Sequence, residues 1–77
     1  MTEFKKGDVV RVIGKTKTED LCGWPTIMDR CYSSYGEVSR VTQKRPDISV
    51  SFPDLYKDEA ADTWNFHPDD LMLARVK

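Results

Sequence analysis

Thr63-Trp64-Asn65-Phe66-His67-Pro68-Asp69-Asp70-Leu71-Met72-Leu73-Ala74-Arg75-Val76-Lys77 is the stretch that decides the fold. Trp64 and Phe66 stand two apart, the spacing of one face of a strand. Pro68 stops that strand, because proline has no N–H to give a ladder. Pro68-Asp69-Asp70-Leu71 reads as one helical turn, with the proline ring fixing the first dihedral. Leu71, Leu73 and Val76, around Met72 and Ala74, supply a last short strand. Strand, tight turn, strand in so short a sequence predicts the closing step of a small barrel.

The residues upstream fit that reading. Lys5-Lys6-Gly7-Asp8 is a turn that launches a β-branched strand over residues 9–13. Val10 and Val12 point to one face and Val9, Arg11 and Ile13 to the other, so Arg11 lies on the wetter side. Residues 14–21 are polar and charged and read as a loop. Trp24, Ile27, Met28 and Cys31 then fall at i, i+3, i+4 and i+7, one stripe of a helix with Pro25 in its first turn. Two turns are too few to stand alone, so the stripe must pack on the strands.

Residues 32–36 form a second loop. Val38 and Val41 are three apart, which breaks strand alternation unless a bulge near Ser39-Arg40 repairs the register. Lys44-Arg45-Pro46-Asp47 is a turn of hairpin length. Ile48, Val50 and Phe52 alternate cleanly with Ser49 and Ser51, and Pro53-Asp54 ends that run. Residues 55–62 are acidic and loop-like, an excursion at a hairpin tip. Five short strands joined by turns and one short helix predict an all-β fold. The expected architecture is a five-stranded antiparallel SH3-like barrel, one domain over residues 1–77, with the helix between strands 1 and 2 and a helical turn before the last strand.

At 77 residues, every large apolar side chain is needed for the core. The 39% hydrophobic and 32% charged content suits a folded domain rather than a disordered one. The net charge of −1 gives no global attraction to nucleic acid or membrane. Residues 1–45 carry nine Lys/Arg against six Asp/Glu, and residues 46–77 carry three against seven, an unevenness that reads as solvated loops. No apolar run approaches the roughly 18 residues of a membrane span, and no signal peptide opens the sequence. The expected location is therefore intracellular and cytoplasmic. Cys22 and Cys31 are nine apart, with a single histidine elsewhere. Four zinc ligands at recognisable spacings are missing, so both thiols read as structural and neither metal nor cofactor is implied.

In order and spacing, the chain resembles the SH3-like repeats of Mind bomb-type ubiquitin ligases. The matching residues are Phe4, Gly7, Asp8, Val10 and Val12 at the start. Gly23, Trp24 and Met28 follow, then Gly36 and Val38, then Trp64, Phe66 and Pro68. The resemblance spans nearly the whole chain. It implies a non-catalytic module that helps hold substrate tails, with ligase chemistry residing in separate domains. This chain departs from the pattern in having one module rather than tandem copies, in lacking RING-type cysteines, and in its longer acidic loop at residues 54–62.

The residues themselves admit three classes of function. An enzyme would use His67 beside Asp69 and Asp70 as a base, with Cys22, Cys31 or a serine as nucleophile. No motif surrounds any of these, and a histidine ending a strand beside turn-capping aspartates is the simpler reading. Nucleic-acid binding would draw on Lys5, Lys6, Arg11, Lys15, Lys17, Lys44 and Arg45, against an acidic second half. Peptide or protein binding suits the tyrosines best, because each presents an apolar ring with a polar tip. The expected ligand-binding residues are Tyr32, Tyr35, Trp24, Trp64 and His67, near the first long loop and the final helical turn. Tyr56 stands in the acidic excursion and, like the other tyrosines, suits a half-wet groove. The two tryptophans are also expected to fill core, and a buried indole N–H needs a partner.

Overall fold

The computed structural model describes residues 4–42 and 47–75. Its strands are β1 (Val9–Val12), β2 (Tyr35–Val41), β3 (Ile48–Ser51), β4 (Thr63–Phe66) and β5 (Leu71–Arg75). They form one antiparallel sheet in the order β4-β3-β2-β1-β5. β4 and β5 therefore lie at opposite edges of the sheet, yet only residues 67–70 separate them in the chain. Four interstrand spacings would hold the edges of a flat sheet about 19 Å apart. Three residues of 3-10 helix, Pro68–Asp70, rise only about 6 Å. The sheet must curl to let that link close, and this is the small barrel that the terminal stretch predicts.

Register follows the apolar pattern. Val10, Val12, Val38, Val50 and Phe66 are fully buried, while Ile48, Phe52 and Leu71 are nearly so. Val38 pairs with Val50 and Arg40 with Ser49, so Ser39 is the extra residue of a β-bulge. That is the bulge demanded by the three-residue gap between Val38 and Val41.

The segment between β1 and β2 differs from expectation. Residues 14–21, read as a loop, carry all but the last residue of helix α1 (Thr16–Cys22). It ends at Gly23, whose φ of 89° lies where a side chain would be strained. The helical stripe from Trp24 to Cys31 folds as a 3-10 helix, Thr26–Cys31, with Pro25 before its first turn. The stripe itself faces inward as read: Met28 and Cys31 are buried, and Trp24 and Ile27 pack against the core.

α1 covers the seam where the sheet closes, packing on β4 and on the 3-10 turn before β5. The Thr18 amide donates to Asp70 Oδ2 at 2.6 Å, and the His67 amide donates to Thr18 Oγ1 at 3.0 Å. Cys22 Sγ donates to the Asn65 carbonyl at 3.6 Å, so the helix also occupies part of the β4 edge.

The acidic excursion also turns inward. Tyr56 is 1% exposed, and its hydroxyl donates to the Ile27 carbonyl at 2.8 Å. It is a core residue rather than a rim residue. Lys44, Arg45 and Pro46 of the expected hairpin turn, and Val76 of the last strand, lie outside the described residues. Among the described residues, no helix is long and apolar enough to cross a membrane.

Candidate functional site

The turn entering β2 sets two tyrosines apart. Ser33, between them, adopts φ 66°, a left-handed conformation that costs a non-glycine residue energy. Its amide donates to the Val12 carbonyl at 2.9 Å, and its carbonyl accepts from Arg11 Nε at 3.2 Å. The same Arg11 guanidinium lies 5.8 Å from the centre of the Tyr35 ring. Arg11 and Tyr35 face each other across the β1–β2 ladder. One outward-facing arginine thus holds the turn and supports Tyr35, which stays 60% exposed.

Beside Tyr35 runs a groove of about 190 Å³, between the start of β2 and the loop leaving β3. Val9, Tyr35, Phe52, Pro53 and Leu55 line it, and the backbone of Gly36 crosses it. A Cβ on Gly36 would lie 2.6 Å from both Phe52 Cε2 and Val50 Cγ1, so glycine lets the Phe52 ring pack directly on the strand. Glu37 and Asp54 are the charged residues of the lining. Arg30 braces the loop beyond Leu55. Its guanidinium reaches Asp58 at 3.2 Å and Glu59 at 3.5 Å, and sits 5.7 Å from the Tyr56 ring.

The five residues expected to bind ligand do not form one site. Trp24 and Tyr32 are joined edge to face, with centroids 6.4 Å apart. Trp24 meets Phe66 in the same manner at 5.9 Å, and its indole N–H donates to Asp29 Oδ1 at 2.7 Å. These rings lead from exposed Tyr32 inward to the core. Trp64 packs edge-on against Tyr56 at 5.5 Å, and its buried Nε1 has no hydrogen-bond partner among the described residues. His67 lies at the seam beneath α1, where Nδ1 accepts from the Asp69 amide at 3.0 Å. Tyr35 alone of the five lines the groove. α1 also packs over the final helical turn, where the sequence reading placed one wall of a groove.

Val9, Glu37, Pro53, Asp54 and Leu55 were missed as groove residues. Leu55 carries the one local signal, a large aliphatic side chain in an acidic loop, and it is 37% exposed.

Burial pushes the Cys31 thiol up to about 11, so it stays protonated and unreactive near neutral pH. Burial first, and then Cys31 beside it, raise the Tyr56 phenol as well. Among the described residues, no three His, Cys, Asp or Glu side chains are placed to hold a metal ion. Comparison with models of known protein families, with curated proteins and with solved structures found no match.

Proposed function

We propose that this domain is a non-catalytic interaction module that binds a peptide segment of a partner protein along the groove beside Tyr35. The observation that carries the reading is Tyr35 at the edge of an apolar groove, the most exposed large apolar side chain among the described residues. A tyrosine held from behind by Arg11 offers a large apolar contact at little cost in side-chain entropy. Leu55, also exposed, faces the same opening from the bracing loop. The resemblance to Mind bomb-type repeats points to the same class of role.

The test is selection of a displayed nonapeptide library on the full chain. Selected peptides should shift the amides of residues 35–37 and 51–55. Tyr35→Ala should weaken their binding at least tenfold while leaving the unfolding midpoint unchanged. A library from which nothing is enriched over blank support would refute the reading.

A further inference from the structure

We infer that the occupant of this groove is an extended peptide in which a large apolar side chain lies close to a lysine or arginine. The inference rests on the interaction-module reading and adds the chemistry of the ligand. The groove has two kinds of surface. Val9, Tyr35, Pro53 and Leu55 give an apolar trough, where a leucine-sized group gains by leaving water. Glu37 and Asp54 supply the only charges of the lining, and both are negative and exposed.

The Arg11 cation behind Tyr35 is already engaged, since it spans the Ser33 carbonyl and the Tyr35 ring. It does not line the groove, so the carboxylates face an incoming ligand without a neutralising partner in the lining. The loop carrying Asp54 and Leu55 also holds Lys57, Asp58, Glu59 and Asp62, so four carboxylates stand there against one lysine, and Arg30 pairs with Asp58 and Glu59. A cationic ligand meets complementary potential along this side, and an acidic one meets repulsion. The apolar contacts supply affinity, and the two carboxylates supply choice.

The test extends the same selection. Enriched nonapeptides are sequenced, and one is resynthesised with its basic residue kept, changed to glutamine, or changed to glutamate. The expected result is enrichment of Leu, Ile, Phe or Met within two positions of Lys or Arg. Glu37→Gln and Asp54→Asn should each weaken the parent peptide by up to about fivefold, the range of exposed ion pairs. Both variants should bind the glutamine peptide as the unaltered protein does. Enrichment that is blind to charge, or that favours acidic peptides, overturns the inference and leaves the interaction module standing. Peptides that shift Trp24 and Tyr32 but not residues 35–37 and 51–55 overturn the groove itself. An empty selection removes both.

Discussion

The carboxylate of Asp70 lies 2.6 Å from the backbone nitrogen of Thr18, fifty-two positions earlier in the chain. Thr18 is the third residue of α1, and Lys15, which precedes the helix, makes no side-chain cap. Asp70 therefore does for α1, from the opposite end of the sequence, what a local Asp or Ser normally does. Its other oxygen sits where a Cβ on Gly14 would come within 2.8 Å, so the chain before the helix is fitted to it as well. The Asp70 carbonyl accepts from the Ile13 amide at 2.8 Å, which ties the same residue to the end of β1.

Asp70→Ala should cost about 2 kcal/mol, from a lost cap and a buried amide left unsatisfied. Asp70→Asn keeps an acceptor oxygen and should cost less. In the alanine variant the amides of residues 16–22 should exchange faster than those of β2 and β3. Urea denaturation with hydrogen exchange reads both effects. An alanine variant of unchanged stability would mean that the contact carries no weight.

This contact also explains which parts of the fold are legible in the sequence. The bulge at Ser39 is written in the spacing of Val38 and Val41, and the closing turn is written in Pro68. Each is a local signal. α1 has no local signal: it is polar, it lacks a cap of its own, and its support comes from Thr18, His67 and Asp70 meeting across the barrel. Tyr56 misleads for a related reason. Apart from Leu55, the residues around it in sequence are mostly charged, and its burial comes from Ile27, Phe52 and Trp64. The groove needs Val9, Tyr35 and Leu55 together, which only the pairing of β1 with β2 and of β2 with β3 achieves.

Gly36 should tolerate no side chain while Phe52 keeps its place. Gly36→Ala should destabilise by about 1–3 kcal/mol, the range for overpacking a tight core. Phe52→Leu removes the ring atoms that the new methyl would meet, although Val50 Cγ1 remains at 2.6 Å. The double variant should therefore be more stable than the sum of the two single losses predicts. Strict additivity in a double-mutant cycle would show that the alanine is accommodated elsewhere.

Arg30 should matter locally more than globally. Its partners Asp58 and Glu59 are solvent-accessible, so each ion pair contributes only about 0.2–1 kcal/mol. Arg30→Ala should lower overall stability by no more than about 1 kcal/mol. Exchange of the amides of residues 55–60 should rise, because the loop loses its brace while Tyr56 stays buried. Peptide affinity for the groove should fall with it, since Leu55 and Asp54 sit on that loop. Unchanged exchange there would show that Tyr56 alone holds the loop.

Alkaline pH should loosen the core through Cys31 and Tyr56. The ordinary thiol value is 9.0, and burial raises Cys31 to about 11 in the folded protein. The Tyr56 phenol is raised too, from an ordinary value of 10.0. In both cases the folded state favours the protonated, neutral form. The contribution is therefore complete below the unfolded value and is lost as pH rises toward the folded one. Between about pH 9 and 11 the unfolded chain releases the Cys31 proton while the native chain retains it. Stability should fall there by about 1.4 kcal/mol per pH unit, with Tyr56 adding its own decline above about pH 10. Unfolding midpoints in urea at pH 8, 9.5 and 10.5 measure the slope. Cys31→Ala should be less stable at pH 8, having lost packing, yet should show a shallower decline between pH 9.5 and 10.5. A decline equally steep in Cys31→Ala would assign the alkaline loss to groups other than this thiol.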